Sequence, residues 1–286
     1  MIPAQFEYVA PTTVEEAVAA LASAGEDAKV MAGGQSLIPV LRLRLSYPET
    51  VVDLGRIPAL KGVREEGDVL VIGSMTTHDE ILRDPLVRQF APLLRQATET
   101  VADPQVRHRG TFGGSLSHAD PAGDLPAVAL ALDAELVIAG PDGQRTVPAG
   151  EFFLDYLTTA IQQGEILVEI RVPKLGEGWG TCYEKFNRVA QAWSIVAVAA
   201  AVRRENGSIT EARVGLTNMG TTPLRATGVE QALAGSVASA DVVAEAASHA
   251  AEGTSPTSDV NAQADYRAHL ATVLTKRALT KATGLA

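Results

Sequence analysis

The chain has 286 residues and a formal charge of −10, because 34 Asp and Glu outnumber 24 Lys and Arg. With 46% apolar and 20% charged residues it has the composition of a globular protein, and its length predicts two domains or one large domain. No apolar stretch approaches the roughly 20 residues that a membrane span needs. The scattered basic residues and acidic balance argue against a nucleic acid partner.

The first part of the chain alternates helices and strands. A capping-box pattern at Thr12 and Thr13 predicts a helix that ends near Gly25. The apolar run 28–32 predicts a strand, after which Ser36 is expected to cap a short helix. Further elements are predicted as strands over 51–54 and 69–73 and as helices over 76–82 and 92–101.

A long Gly-, Pro- and polar-rich stretch over residues 103–126 carries no sustained apolar period and predicts a loop. A loop of that length within a domain is usually either functional or disordered. Residues 166–172 predict a strand that ends at Pro173, and the linker-like composition of residues 174–178 predicts a domain boundary.

Three strands and then three helices are predicted after this boundary. The strands cover 182–189, 194–203 and 209–218, and Asn206-Gly207 is a strong signal for a tight hairpin between the last two. Helices follow over 228–233, 239–252 and 262–282. This order favours an antiparallel sheet covered by helices on one face.

Two motifs combine Gly-Gly with a hydroxyl side chain and a following Leu. Gly33-Gly34-Gln35-Ser36-Leu37 follows a predicted strand and opens a helix, where free N–H groups and the helix dipole favour an anion. It matches neither the dinucleotide fingerprint G-x-G-x-x-G nor a P-loop, so a plain strand-to-helix turn remains the alternative.

The second motif, Gly113-Gly114-Ser115-Leu116, lies in the predicted loop. Together the two motifs can hold the two phosphates of one dinucleotide, mainly with N–H and hydroxyl groups, which suits an acidic chain.

Polar residues after the second motif suggest a further contact. Asp124 can accept from a ribose hydroxyl or a ring N–H, or can simply cap the helix predicted at Pro126. His118 and Asp120 lack further convergent ligands, so we predict no metal site. The single Cys182 excludes an internal disulfide, and an iron–sulfur cluster held by this chain alone would need about four thiolates. The N-terminus shows no export signal, so a cytoplasmic location is expected.

The strings AGGQSL at 32–37 and TFGGSLSHADPAGDLP at 111–126 resemble the FAD-binding medium subunits of the molybdenum hydroxylases, such as xanthine dehydrogenase and aerobic carbon monoxide dehydrogenase. The resemblance covers essentially the full chain and implies an α+β fold. It implies a two-lobed FAD-binding domain of the vanillyl-alcohol-oxidase (PCMH) type over 1–175, with lobes of about 1–55 and 56–175. A C-terminal domain of the CO dehydrogenase flavoprotein type, with a three-stranded antiparallel sheet and helices, is implied over 176–286.

The resemblance also implies which residues bind FAD. Two segments wrap the diphosphate, Asp124 holds a polar group of the cofactor, and Leu167 and Lys185 approach the flavin ring. Core packing is the alternative for Leu167, and a solvated strand end is the alternative for Lys185. The two segments contribute Ala32, Gly33, Gly34, Gln35, Ser36, Leu37, Thr111, Phe112, Gly113, Gly114 and Ser115.

Some positions remain open to more than one interpretation. Gln35 stands where carbon monoxide dehydrogenases typically carry His, which argues against carbon monoxide as the substrate. Trp193 can stack near the flavin or pack in the core. Arg107 and Arg109 can meet a phosphate or a partner carboxylate, or can simply be solvated.

The function implied by the resemblance is that of an FAD-carrying oxidoreductase subunit without its own catalytic or metal-ligating residues. Electrons arrive from two 2Fe–2S clusters in a small partner subunit and leave to an external acceptor. Substrate reacts at a molybdopterin cofactor in a large partner subunit, and the assembly is expected to be a dimer of heterotrimers. Lys185, as a cation near the flavin, is expected to favour its reduced form. The alternative is a free-standing FAD-dependent oxidoreductase that acts on its own small substrate.

Overall fold

Three parallel strands form the first sheet. In the computed structural model, which describes residues 2–286, these strands are β1 (Glu7–Val9), β2 (Ala28–Met31) and β3 (Thr50–Asp53), in the order β1-β3-β2. Helix α1 (Val14–Ala24) packs on this sheet and begins as the capping pattern predicts, because the Thr13 hydroxyl accepts from the Glu16 N–H at 3.1 Å. Helix α2 (Leu37–Arg42) follows β2, but the Ser36 hydroxyl makes no capping bond within residues 2–286.

An antiparallel sheet forms the centre of the next part. The strands that follow are β4 (Val63–Glu66), β5 (Val69–Gly73), β6 (Glu135–Gly140), β7 (Gly143–Pro148), β8 (Phe153–Asp155), β9 (Thr158–Thr159) and β10 (Ile166–Pro173). Five of them form a sheet in the order β4-β5-β10-β6-β7, while β8 and β9 form a separate hairpin. Short 3-10 turns at Leu54–Arg56 and Pro58–Leu60 connect β3 to β4.

Seven helices in this part, among the residues described, build the core around the sheet. They are α3 (His78–Arg83), α4 (Pro85–Phe90), α5 (Pro92–Glu99), α6 (Pro104–Arg107), α7 (Phe112–His118), α8 (Asp124–Ala131) and α9 (Ala149–Phe152). Every residue of α8 is buried, which is typical of a helix that is apolar all round. The first motif therefore leads into α2, and the second lies in α7.

The prediction of a loop over residues 103–126 is wrong. This segment holds α6, α7 and the start of α8, which are too short for a hydrophobic period to show. Side chains fix where two of these helices begin, since Asp103 accepts from the Val106 N–H at 2.9 Å and Thr111 accepts from the Gly114 N–H at 3.0 Å. The second glycine motif therefore lies in the first turn of a helix and not in a loop.

The C-terminal part contains the predicted antiparallel sheet and three helices. Its strands are β11 (Trp179–Phe186), β12 (Val196–Glu205), β13 (Ser208–Thr217) and the two-residue β14 (Leu224–Arg225), paired in that order. Its helices are α10 (Thr227–Leu233), α11 (Ala240–Ser248) and α12 (Ala264–Ala282), with a 3-10 turn at His249–Ala251. The three long strands match the prediction, and β14 extends the sheet by a short edge. Of the helices within residues 2–286, none is both long and apolar enough to cross a membrane.

The three helices of the C-terminal part cover one face of this sheet, as predicted, and α8 of the preceding part covers the other face. Helix α12 lies so close to β11 that a Cβ built on Gly180 would be 2.0 Å from the Ala282 carbonyl oxygen. On the opposite face α8 packs on β13, where a Cβ on Gly215 would be 2.3 Å from the Ala127 carbonyl oxygen. The apolar run of β12 from Val196 to Val202 is fully buried for this reason. The C-terminal sheet is thus joined directly to the part that carries the glycine motifs.

Candidate functional site

A cavity of about 1030 Å³ lies where β2, β10 and β11 approach one another. Small-molecule sites usually measure about 300–1,000 Å³, so this cavity has the size for a ligand as large as a dinucleotide. All the predicted site residues except Phe112 line it. They are Ala32, Gly33, Gly34, Gln35, Ser36, Leu37, Thr111, Gly113, Gly114, Ser115, Asp124, Leu167 and Lys185.

The two glycine motifs are in direct contact. A Cβ built on Gly33 would be 1.9 Å from the carbonyl oxygen of Arg109, and one on Gly114 would be 3.1 Å from the Cβ of Ala32. Gly34 has a φ of +74°, which L side chains rarely adopt. Both motifs therefore need glycine for close backbone packing, and together they form one wall of the cavity.

The first motif carries the N–H groups that an anion needs. The N–H groups of Gly33, Gly34 and Gln35 have no acceptor within residues 2–286, although both glycines are buried. Buried N–H groups are nearly always hydrogen-bonded in folded proteins, so their isolation at a cavity indicates a ligand with acceptor atoms. A diphosphate has that chemistry.

The second motif does not supply free N–H groups, contrary to the expectation that both motifs would. The Phe112 N–H donates to the Thr76 carbonyl at 3.0 Å, and the Gly113 N–H donates to the Ser74 carbonyl at 2.9 Å. The side chain of Phe112 is fully buried in the hydrophobic core. The prediction that Phe112 contacts the cofactor therefore has no support in this geometry. The second motif contributes close packing and the hydroxyl of Ser115, which lines the cavity.

Asp124 is the first residue of α8, yet its carboxylate does not cap that helix. Oδ1 accepts from the hydroxyls of Tyr183 and Ser194, both at 2.6 Å, and Oδ2 accepts from Lys185 Nζ at 2.7 Å. The side chains of Asp124 and Lys185 are each only 5% exposed, so this is a buried ion pair. Lys185 also donates to the Thr100 carbonyl at 3.2 Å, which excludes the alternative of a solvated strand end.

Sequence reasoning did not identify Tyr183 and Ser194. Burial, and then the neighbouring Asp124 carboxylate, raise the pKa of Tyr183 well above its ordinary value, so its hydroxyl remains a donor. The only local signal is the two-residue spacing of Tyr183 and Lys185 in a strand, which places both on one face. Ser194 lies outside the strands, and its N–H donates to the Ala122 carbonyl at 3.4 Å, so its position beside them is a tertiary feature.

The sequence matches two family models. Residues 4–175 match the FAD binding domain in molybdopterin dehydrogenase, and residues 181–282 match the CO dehydrogenase flavoprotein C-terminal domain. The chain belongs to the FAD-binding subunits of the molybdenum hydroxylases. It is thus an oxidoreductase subunit with an FAD-binding domain, and the resemblance and the α+β fold predicted from the sequence are confirmed.

Relatives of this FAD-binding subunit align over almost their whole length. The carbon monoxide dehydrogenase medium chain of Hydrogenophaga pseudoflava is 43% identical over 99% of this chain and 98% of that protein. Subunit alpha of the 6-hydroxypseudooxynicotine dehydrogenase complex of Paenarthrobacter nicotinovorans is 38% identical, over 99% of this chain and 96% of that protein. A solved structure of the Hydrogenophaga pseudoflava carbon monoxide dehydrogenase lacking the Mo-pyranopterin moiety superposes with a TM-score of 0.97, at 44% identity over 99% of both chains.

Two further polar residues of the FAD-binding subunit line the cavity and were not predicted. Ser74 and His78 are nine-tenths or more buried, and neither Ser74 Oγ nor His78 Nδ1 has a partner among the described residues. Burial, with a smaller effect of the Arg107 guanidinium, lowers the pKa of His78 to about 4. The imidazole is therefore neutral at ordinary pH.

The structure decides between the alternatives that the sequence left open for Trp193, Arg107 and Arg109. Trp193 lines the cavity and is 55% exposed, so it does not pack in the core. Arg107 donates to the Val101 carbonyl at 2.8 Å and thus has a structural role. The side chain of Arg109 is exposed, and its carbonyl contacts Gly33.

Within residues 2–286, no group of three His, Cys, Asp or Glu side chains is arranged to hold a metal ion. Cys182 is buried, and this burial raises the pKa of its thiol to about 11. A thiol with such a pKa is protonated and unreactive at neutral pH.

Proposed function

We propose that this subunit binds FAD in the cavity and relays electrons from 2Fe–2S clusters of a partner subunit to an external acceptor. The observation that carries the proposal is the junction of the two glycine motifs, where three adjacent N–H groups lack an acceptor in the described part of the chain. Bound FAD supplies one- and two-electron chemistry, and the protein positions and tunes it.

Different regions of the cavity would hold different parts of FAD. We infer that Gly33, Gly34 and Gln35 donate to the diphosphate, and that Leu167 and Lys185 approach the flavin ring. The buried Leu167 lies in β10 at a bulge, and the neighbouring Val168 carbonyl accepts from the Ser74 N–H at 3.0 Å. This bond links the region expected to hold the flavin ring to the end of β5. The Ser74 carbonyl at that strand end also accepts from the Gly113 N–H of the second motif.

Both parts of the chain contribute residues to the cavity. We infer an FAD-binding domain over residues 1–175 and a C-terminal domain over 176–286. The second domain contributes Lys185, Gln191, Ala192 and Trp193 to the cavity. The FAD site is thus complete only when both domains are packed together.

We further propose that the partners are a large molybdopterin-binding subunit and a small 2Fe–2S subunit, assembled as a dimer of heterotrimers. The relatives are named as a medium chain and as a subunit of a complex, which supports a multi-subunit assembly. A chain with one cysteine does not hold an iron–sulfur cluster by itself. The substrate is then selected in another subunit, and Gln35, which lies in the FAD motif, does not decide it.

Purification from the native host tests this proposal. We expect two other subunits to co-elute with this chain, together with iron, molybdenum and FAD. Replacing Gly33, Gly34, Gly113 and Gly114 by bulkier residues should remove the visible flavin absorption. A monomer that oxidises a small substrate by itself would instead establish the alternative, a free-standing FAD-dependent oxidoreductase.

A further inference from the structure

The carboxylate of Asp124 joins the two parts of the chain at the edge of the cavity. Tyr183 and Ser194 both donate to Oδ1, while Lys185 alone donates to Oδ2. All three donors come from the C-terminal part, whereas Asp124 begins α8. The neighbouring backbone strengthens this junction, because the Asn218 N–H donates to the Pro121 carbonyl at 2.8 Å.

The Lys185 ammonium has one N–H left for a ligand. Of its three donors, one is used by Asp124 Oδ2 and one by the Thr100 carbonyl, and no third acceptor lies within residues 2–286. Lys185 lines the cavity. Because Asp124 neutralises most of its charge, the field in the cavity depends on how the negative charge is divided between the two carboxylate oxygens.

Tyr183 and Ser194 control that division. Neither residue lines the cavity, so each acts on a ligand there only through Asp124 and Lys185. Hydrogen bonds to an ionised group are short and strong, and the 2.6 Å distances here are of that kind. Each hydroxyl draws negative charge toward Oδ1 and away from the oxygen that faces Lys185.

We propose that Tyr183 and Ser194 are positioning residues that set the reduction potential of the bound flavin by fixing the Asp124–Lys185 ion pair. This inference rests on the proposed function. Removing either hydroxyl concentrates negative charge on Oδ2, which weakens the positive field of Lys185 at the cavity. Reduction adds negative charge to the flavin, so its potential becomes more negative.

Tyr183→Phe and Ser194→Ala test this role with little change in volume. The midpoint potential is measured by redox titration of the flavin-loaded protein in the assembly in which it purifies. We expect the ratio of oxidised to reduced flavin at a fixed ambient potential to rise about three- to tenfold, a shift of about 14–30 mV for a two-electron couple. Tyr266→Phe is the matched control, because Tyr266 lies on α12 and contacts Phe186 and His269; it should leave the potential unchanged.

A double-variant cycle separates positioning from a merely structural role. In an Asp124→Asn background, Tyr183→Phe should produce no further shift, because its effect passes through the Asp124 carboxylate. A lower melting temperature with wild-type potentials in both single variants would overturn the proposal. Ser194→Ala keeps the test decisive if Tyr183→Phe fails to fold. Wild-type protein that binds no FAD would refute the proposed function and this role together, whereas bound FAD with unchanged potentials would refute this role alone.

Discussion

Gly33→Ala should separate the two glycine motifs and weaken FAD binding. The new Cβ would lie 1.9 Å from the Arg109 carbonyl oxygen and 2.7 Å from its carbonyl carbon. Ordinary van der Waals contact begins at 3.4 Å, so one backbone segment has to move by about 1.5 Å. Neither contact is the flexible end of a side chain, and rotamer changes therefore give no relief.

The expected loss follows from the strain of overpacking. Extra methyl groups in a well-packed site typically cost about 1–3 kcal/mol. We expect the ligand-free protein to relieve the contact by moving the turn at Gly33 away from Arg109, whereas FAD binding needs the turn in place. The strain then opposes binding, and at about 1.4 kcal/mol per tenfold change the FAD affinity falls by about 5- to 140-fold.

The assay is a titration of the flavin-free full chain with FAD, followed by the change in flavin fluorescence. Gly176→Ala is the control, because a Cβ there would meet no atom within 4 Å and Gly176 has no positive φ. The control should bind FAD as the wild type does. Wild-type affinity in a folded Gly33→Ala protein would refute the reasoning, since it would mean that contact between the motifs does not shape the FAD site.

Three other sets of variants test separate features. The pKa of His78 is about 4 in the folded protein and 6.5 in the unfolded chain, so the folded state loses stability as the pH falls from 6.5 to about 4. Urea unfolding at these two pH values measures that loss. The decrease in the free energy of unfolding should be about 3 kcal/mol larger in wild type than in His78→Gln. Redox titration should show a flavin potential that is more negative in Lys185→Met and less negative in Asp124→Asn, each by about 30 mV or more. The double variant should have a potential near that of wild type. A double variant with the potential of Lys185→Met would contradict the ion-pair argument. Gly215→Ala should lower the free energy of unfolding by about 1–3 kcal/mol, because its Cβ would be 2.3 Å from a carbonyl oxygen of α8; denaturant unfolding equal to that of Gly176→Ala would contradict this.

The sequence predicted those elements whose signal lies within a few neighbouring residues. The hairpin at Asn206-Gly207 has φ values of 50° and 86°, as a turn with two left-handed residues requires. The strand predicted over 69–73 is the observed Val69–Gly73. In both cases the signal lies in neighbouring residues of the chain, although the strand also pairs with the distant β10.

The error over residues 103–126 has a physical cause. Helices of four and seven residues make at most two turns, so a hydrophobic period has no room to develop in the sequence. The glycines of α7 also look like loop residues. Glycine is needed at position 113 because a Cβ there would be 2.5 Å from that of Ser74, which only the folded arrangement shows.

The site residues that belong to a local sequence motif were predictable. The contacts that residues distant in the chain make with them were not. Both glycine motifs were found from the sequence, because each is a recognisable local string of Gly-Gly with a hydroxyl residue and Leu after it. The alternatives for Asp124 stayed open, since the side chains that decide between them lie 59, 61 and 70 residues further along the chain. Strand β11 carries two of those side chains, and Ser194 precedes β12, where its N–H donates to the Ala122 carbonyl at 3.4 Å.

The ion pair changes the electrostatic argument for Lys185. From the sequence, Lys185 is a lone cation that favours the reduced flavin by Coulomb attraction. With Asp124 at 2.7 Å the pair has nearly no net charge, and the field at the cavity is that of an oriented dipole, which weakens faster with distance than the field of a charge. The effect on the flavin therefore depends on the orientation of the pair, which residues from both parts of the chain determine. We therefore expect the packing of the C-terminal sheet on α8 to set the field of this ion pair at the cavity.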